Sequence, residues 1–401
     1  MSRILYSMNC MATDPEFGFG GPQGMLPSTR FVKKKGESEL MTWYKGSGNK
    51  HDINSDGFNA EMQVHICDQR ENPNDLNSKI IPKPFTVSCI KHMIDAVYYG
   101  LKSAREIAAK KKARVLVGDL VQINKRSIKT APEECWQSGC NPTLSVKTMM
   151  FSEVLPDYKQ QVISNGVPLG GHIHFITPPF KRTGNLSEDI EQGAAFVKFA
   201  TAVALLPMIL LGFNDTKIKR YKMLGLGNFR LPSHGGLEMK DFSGSALGSI
   251  AMFSLQYSLC RTAYCIFTQD RKLADVIASH SSFEAIEQAV MSGDVKKLRR
   301  LFAGVAKIVR ANCSQHDNNP YMLGLLDVGR VCTSAKKLNM LEFMFDNPKF
   351  FVTDDIELGW GRFEIQNVQD KGLKSSFHSG YNRLITDNQT EFMSVVKGYI
   401  K

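Results

Sequence analysis

The chain lacks the motifs that identify several large protein classes. It contains no Cys-x-x-Cys pair, no loop with the Gly-Lys-Ser/Thr ending, no internal repeat and no long low-complexity tract. The glycines Gly225 and Gly227 are not followed by the further glycine of a dinucleotide-binding loop. These absences argue against a Cys-x-x-Cys zinc site, a P-loop and a Rossmann dinucleotide site.

The chain is also poor in long apolar runs. Residues 1–6 contain no long apolar segment, so we expect no export signal. The most apolar run, 197–213, contains Lys198 and Pro207 and is shorter than a typical membrane span. It predicts a buried helix, and we expect no membrane partner.

Cysteines are present, but their number and spacing do not indicate a disulfide framework. There are nine, an odd number. Cys135 and Cys140 are five residues apart, as are Cys260 and Cys265, and the latter pair lies in an apolar stretch that is typical of a protein core. We therefore expect reduced thiols in an intracellular compartment.

The net charge of +11 indicates that the binding partners are anionic, such as nucleotides, nucleic acid or acidic protein. The basic residues are nevertheless spread out and form only short runs, such as 33–35 and 110–112. No basic helix interleaved with aromatic residues is present. We therefore expect a solvated basic surface and a pocket for an anionic substrate rather than a nucleic-acid partner. The patterns predict no particular oligomeric state.

Periodicity divides the chain into a main domain, 1–270, and a mostly helical C-terminal extension, 271–401, packed on it. Apolar residues at three- and four-residue steps predict helices over 85–112, 187–212, 245–268, 271–279, 283–292 and 294–311. Residues 20–56 are typical of loops, and 114–123 predicts a strand. Ser281 and Glu284 have the spacing of a capping box. Weak strand candidates lie near 350–353 and 361–366.

Polar and apolar residues alternate in several segments, which predicts half-buried strands. The segments are 14–19, 57–66, 170–175 and 237–240, the last preceded by 228–230. In Gly170-Gly171-His172-Ile173-His174-Phe175, a strand puts both histidines on one face and Ile173 and Phe175 on the other. In 57–66, the polar face would carry Asn59, Glu61, Gln63 and His65.

These polar faces would together give one open face of a sheet with both acidic and cationic groups. The face would carry Glu16, Glu61, Glu238, His172, His174, Arg230 and Lys240. Clustered carboxylates repel one another unless a cation lies among them, and hard oxygen ligands suit Mg²⁺ or Mn²⁺. Lysine and arginine beside such a metal suit a phosphate group. The combination indicates nucleotide-dependent phosphoryl transfer.

Each element of this pattern also has a simpler explanation. A single glutamate on a polar strand face is usually solvated. The His-x-His pair is compatible with a structural role or with half of a zinc site, although no third soft ligand has a suitable spacing. Arg230 is compatible with a surface ion pair.

Several motifs, in this order, resemble one known family. They are Asp14-Pro15-Glu16-Phe17, Asn59-Ala60-Glu61-Met62, Gly139-Cys140-Asn141-Pro142, Gly170-Gly171-His172-Ile173-His174, and Arg220-Tyr221 followed by Gly225-x-Gly227-x-Phe229-Arg230-Leu231-Pro232-x-x-Gly235-Gly236-x-Glu238. They are similar to the phage carboxylate–amine ligases, the COOH–NH2 ligase type 2 or phage amidoligase family, of the glutamine synthetase and glutamate–cysteine ligase superfamily. The resemblance covers about residues 11–250.

The resemblance implies an α+β fold with a curved, mostly antiparallel sheet and helices on its convex face. It implies an enzyme that uses ATP and Mg²⁺, or Mn²⁺, to convert a carboxylate into an acyl phosphate, which an amine then attacks. The substrates would be a carboxylate and an amine belonging to small molecules, peptides or proteins. The protein would act in the cytoplasm of an infected bacterial cell, with association with the virion as a further expectation.

The resemblance also implies roles for particular residues. The metal ligands would be Glu16, Glu61, His172 and Glu238; the nucleotide-binding residues would be His172, His174 and Arg230; the catalytic residues would be Arg230 and Lys240. Arg230 would bind the γ-phosphate or the substrate carboxylate.

Two departures from the family pattern leave open a divergent copy with weak or lost activity. One of them, at Lys240, together with the helical extension after residue 270, motivates an alternative function. Glu238-Met239-Lys240 stands where the family usually has Glu-Tyr-Arg, and a lysine keeps the charge but loses the bidentate fork. The aromatic residue that usually follows the Gly-Cys-x-Pro segment is missing around 143–145. The alternative is a non-catalytic virion or assembly protein that retains the ligase fold.

Overall fold

The computed structural model describes most of the chain. The described residues are 11–34, 52–65, 87–136, 143–152, 157–175, 178–232, 236–312 and 340–360, together with 388, 390–392, 394 and 395. The segment 139–142, the residue Gly235 and the strand candidate 361–366 lie outside them.

One large antiparallel sheet forms the centre of the fold. The strands are β1 (Met11–Gly21), β2 (Gly24–Leu26), β3 (Asp52–Asp56), β4 (Asn59–His65), β5 (Arg114–Leu116), β6 (Leu120–Val121), β7 (Thr143–Ser145), β8 (Phe151–Ser152), β9 (Val167–Pro168), β10 (Gly171–Phe175), β11 (Asn228–Arg230) and β12 (Leu237–Met239). The main sheet has the order β3-β4-β1-β10-β12-β11-β7-β8, with β2 and β5 paired to β1, while β6 and β9 form a small separate sheet. The predicted α+β class with a mostly antiparallel sheet is confirmed.

One face of the sheet is apolar and fully buried, as the alternation predicts. It presents Phe17, Ala60, Ile173, Phe229 and Met239, each 0% exposed. These residues belong to the main hydrophobic core together with residues of the long helices. Burying a phenylalanine of this kind stabilises the fold by about 2 kcal/mol, so the alternation determines which face turns towards the helices.

The helices of the described residues include one in each of the six ranges predicted to be helical, and others, within 125–165, 215–224 and 340–360, that the periodicity did not predict. They are α1 (Val87–Lys110), α2 (Lys125–Thr130), α3 (Tyr158–Asn165), α4 (Leu186–Ala200), α5 (Leu206–Leu210), α6 (Asp215–Leu224), α7 (Ile250–Gln269), α8 (Arg271–His280), α9 (Phe283–Ser292), α10 (Val295–Asn312), α11 (Met340–Asp346) and α12 (Ile356–Trp360). Helix α1 packs directly on β4, because Gly100 leaves room for Met62. Helix α4 packs on β11, where Gly193 adjoins Phe229.

The apolar run in the middle of the chain is a core helix. Helices α4 and α5 are joined by a π-helical turn, Thr201–Leu205, and the stretch Leu186–Leu210 is long and apolar enough to cross a membrane by composition alone. In the fold, however, 89% of its most apolar window is buried. The predicted buried helix is confirmed, and this burial is what the core helix of a soluble protein shows. In α7, Cys260 and Cys265 are likewise buried.

The helices after residue 270 share the main core. Residues of α8, α9, α10, α11 and α12 belong to the same hydrophobic cluster as the sheet. The 3-10 turn Gly244–Gly248 contacts α12, and Trp360 Nε1 donates to the carbonyl of Leu247 at 2.6 Å. The boundary at residue 270 stays a prediction.

Four local predictions are wrong. Residues 20–56, predicted as loops, include the strands β2 and β3. The strand predicted over 114–123 is split into β5 and β6, because Gly118 at φ 151° bends the chain. Helix α9 is capped by Ser282, whose side chain accepts from the amide of Ala285, while the Ser281 hydroxyl donates to the carbonyl of Leu301. Phe350 ends a 3-10 turn, Pro348–Phe350, and residues 351–353 form no strand.

Candidate functional site

The polar residues singled out in the sequence lie on one face of the sheet. In the register of β1 with its neighbours, Glu16 is opposite Glu61 of β4 and Asp14 is opposite His172 of β10. On the other side of β10, His174 is opposite Glu238 of β12. Since side chains alternate along each strand, these groups share one face.

The same face continues onto β11. Arg230 is directly opposite Glu238 in the β11–β12 register, and Lys240 follows β12. The structure therefore brings together all seven residues that the sequence singled out: Glu16, Glu61, His172, His174, Arg230, Glu238 and Lys240. Acidic groups dominate the β4–β1 side, and cations dominate the β12–β11 side.

Glu238 is the centre of the cationic side. Its carboxylate is 1% exposed. The Oε2 atom accepts from Arg230 Nε at 2.6 Å and lies 2.5 Å from Arg230 Nη2. The Oε1 atom lies 3.4 Å from Lys240 Nζ and 3.5 Å from His172 Nδ1. Burial alone would raise the pKa of Glu238, but the neighbouring histidines, Lys240 and Arg230 lower it to about 2.

The two histidines differ in their surroundings. Burial and the charge of Lys240 lower the pKa of His172 to about 3, so its imidazole is neutral at pH 7. Burial also opposes charging of His174, but Asp14, whose Oδ2 lies 2.9 Å from His174 Nε2, raises the pKa of this imidazole. His174 is thus an ion-pair partner of Asp14.

Glu16 is held by neutral donors. Its Oε2 accepts from the amide of Gly170 at 2.6 Å and from Asn59 Nδ2 at 2.9 Å. Burial and the charge of Asp56 raise the pKa of Glu16 to about 7. A side chain at Gly170 would displace the site's own side chains, because a Cβ there would lie 2.5 Å from His172 Nε2 and 3.1 Å from Glu16 Oε2. One of the two glycines of the histidine motif is therefore needed for close packing inside the site.

The acidic side is the part of the site where the donors fit a divalent cation. Asn59 donates through Nδ2 to Glu16 and to the carbonyl of Pro168, while in the described part of the chain its buried Oδ1 accepts no hydrogen bond. This oxygen, together with Glu16 and Glu61, is the hard donor set that Mg²⁺ prefers when it keeps several waters. Glu238 fits less well, since both of its oxygens face cations or imidazoles.

Among the described residues, no three or more histidine, cysteine, aspartate or glutamate side chains are grouped so that they could hold a metal ion.

The sequence matches no protein-family model and no curated protein.

Two residues of the site were not assigned a role from the sequence. Asp14 pairs with His174, and Asn59 bridges Glu16 and Pro168. Alternation places both on the polar face, which is the signal that could have found them. Their partners lie on other strands, at sequence distances that spacing does not encode.

Proposed function

We propose that the chain is an ATP- and Mg²⁺-dependent carboxylate–amine ligase with a glutamine synthetase-like sheet, as the resemblance to the phage amidoligases implies. The observation that carries the proposal is the division of one sheet face into an acidic end and a cationic end. A phosphoryl transfer between two anions needs both a divalent cation and fixed cations to offset their repulsion.

The acidic end would hold the metal. Glu16 and Glu61 face each other across β1 and β4, and the unused Asn59 Oδ1 lies beside Glu16. These residues would hold Mg²⁺, which supplies charge neutralisation for the phosphates of ATP. His172, neutral at pH 7, and the Asp14–His174 pair lie between this end and the cationic end.

The cationic end would bind the transferring phosphoryl group and the substrate carboxylate. Arg230 has a 35% exposed side chain, while Lys240 is 6% exposed, so Arg230 is the contact closer to solvent. A carboxylate oxygen attacks the γ-phosphorus, the bond to the β-phosphate breaks and ADP leaves. The amine then attacks the acyl carbon, phosphate leaves, and the nitrogen loses a proton to give the amide.

The proposal is tested by ADP release from the purified protein with Mg²⁺, ATP and a pool of amino acids and peptides. We expect ADP release that depends on the pool, with amide products in the mass spectrum and loss of activity in Glu61→Ala. Gln63→Ala, two residues along the same face of β4 and half-buried, is the matched control and should retain activity. Unchanged activity in Glu61→Ala overturns the metal role; ADP and phosphate without amide products indicate ATP hydrolysis alone.

A second candidate is a non-catalytic virion or assembly protein that retains the fold. It is favoured by the internal neutralisation of the site, because Glu238 pairs with Arg230 and Asp14 pairs with His174, and all four carboxylates and both histidines are at most 9% exposed. The departure at Lys240 points the same way. Absence of Mg²⁺–ATP binding together with presence in purified particles would support it.

A further inference from the structure

The motif residue Arg220 has no role in the chemistry proposed above. It lies on α6 and is 1% exposed. Its Nη1 donates to the carbonyl of Asp241 at 2.9 Å, and its Nη2 donates to the carbonyl of Phe242 at 2.9 Å. Burying a guanidinium is costly unless its donors form hydrogen bonds. In Arg220 two of these donors hold two backbone carbonyls in place.

Those carbonyls belong to the segment that follows β12. The carbonyl of Phe242 also accepts from the amide of Gly171, the first residue of β10, at 2.8 Å. Arg220 therefore fixes the segment after Lys240 against the strand that carries the two histidines.

Asp241 extends the same connection to β11. Its carboxylate is 2% exposed, and it accepts from the amide of Gly227 at 2.7 Å and from the amide of Asn228 at 3.0 Å. The carbonyl of Asn228 in turn accepts from the amide of Lys240 at 3.0 Å. Gly227 has φ 83°, and a Cβ there would lie 2.2 Å from Val146 Cγ2, so the backbone has little freedom at this point.

Strand β11 is only three residues long, so a short ladder of hydrogen bonds holds it. We infer that Arg220 and Asp241 are positioning residues, which set where Arg230 and Lys240 stand relative to Glu238 and hence set the anion-binding end of the site. The inference rests on the proposed function for the identity of the ligand, Mg²⁺–ATP. The hydrogen bonds of Arg220 and Asp241 are present without a ligand. A displacement of about 1 Å at such a site is enough to reduce function strongly.

The test uses the full chain and the near-isosteric variant Asp241→Asn, with Mg²⁺–ATP as the probe. An asparagine offers one acceptor where the carboxylate offers two, so one of the two amides loses its partner. We expect Mg²⁺–ATP to bind about tenfold more weakly, because displaced cations contact the phosphates less well. In a background that carries both Arg230→Gln and Lys240→Gln, the same change should have little further effect, because Asp241 acts through these two cations.

A second variant and a matched control separate positioning from general stability. Arg220→Lys keeps the charge but can donate to only one carbonyl well, and we expect the same direction of change. Lys217→Gln removes another buried cation of α6, whose Nζ donates to the carbonyls of Met208 and Leu211, away from β11. It should lower the urea midpoint without changing the affinity for the probe.

Amide hydrogen exchange decides the inference independently of ligand binding. We expect faster exchange at Gly227, Asn228 and Arg230 in Asp241→Asn, and unchanged exchange there in Lys217→Gln. Unchanged exchange at Arg230 in both Asp241→Asn and Arg220→Lys overturns the inference. If the wild-type protein binds no Mg²⁺–ATP, the proposed function fails, and the exchange data alone then support or overturn the positioning role.

Discussion

At the scale of single residues, the site depends on a carboxylate that holds several cations at once. Glu238 is nearly fully buried and neutralises Arg230 and Lys240 on its two oxygens. Removing one partner of a buried ionic cluster leaves an uncompensated charge, which costs more than the intact cluster contributes. The same residue therefore supports both the fold and the orientation of Arg230.

We predict that Glu238→Gln destabilises the protein by about 3 kcal/mol, because it leaves two cations without their shared carboxylate. Urea unfolding followed by circular dichroism measures this change. Glu133→Gln is the matched control: it breaks an exposed pair with Lys159, whose side chains are 79% and 48% exposed, and should cost less than about 1 kcal/mol. Equal effects of the two substitutions would contradict the role assigned to Glu238.

The raised pKa of Glu16 predicts a pH dependence of stability. The pKa is about 7 in the folded protein and 4.5 as its ordinary value, so the folded state binds the proton more tightly between these pH values. The contribution of Glu16 to stability is therefore fully present below pH 4.5 and is lost as the pH rises through 7.

Relative to Glu16→Gln, the wild-type protein should gain about 3 kcal/mol of unfolding free energy as the pH falls across this window. Urea unfolding of both proteins without divalent cations, at pH 8 and pH 5, measures the difference. A difference that does not change with pH would rule out a buried, protonated Glu16.

At the scale of elements, alternation and helical periodicity predict most of the helices and strands. Phe17, Ile173 and Met239 identify the buried face, because side-chain direction follows directly from position in a strand. Which strands are neighbours could not be predicted, since β1 pairs with β10 across more than 150 residues and nothing local encodes that choice. The break at Gly118 was missed because it depends on a backbone conformation with positive φ.

The docking of the segment 351–360 is a second feature that only the structure reveals. The Ser249 hydroxyl donates to the carbonyl of Phe351 at 2.5 Å, and Trp360 donates to the carbonyl of Leu247. At Gly248 a Cβ would lie 1.8 Å from the carbonyl oxygen of Thr353, so the two backbones pack too closely for any side chain.

We predict that Gly248→Ala separates this segment from the Gly244–Gly248 turn and destabilises the protein by about 2 kcal/mol, as overpacking does. Hydrogen exchange should rise over 348–360, and the urea midpoint should fall. Gly21→Ala is the control, since a Cβ at Gly21 meets nothing within 4 Å. Unchanged exchange over 348–360 in Gly248→Ala would contradict this account.

At the scale of the whole molecule, sequence reasoning found the acidic and cationic residues of the site but not the way in which they satisfy one another. Glu16, Glu61 and Glu238 were all expected to hold a metal. In the fold, Glu16 and Glu61 face each other, whereas Glu238 pairs with Arg230. This difference arises because β12 pairs with β11 on one side and with β10 on the other, which sets cations and imidazoles around one carboxylate.

The central claim is that this divided sheet face binds a metal–nucleotide complex, and calorimetric titration with Mg²⁺–ATP tests it most directly. We predict one binding event per chain in the wild-type protein, absent without Mg²⁺ and at least about tenfold weaker in both Glu61→Gln and Arg230→Gln. Folded wild-type protein that binds no Mg²⁺–ATP, or binding that neither substitution changes, would contradict the account.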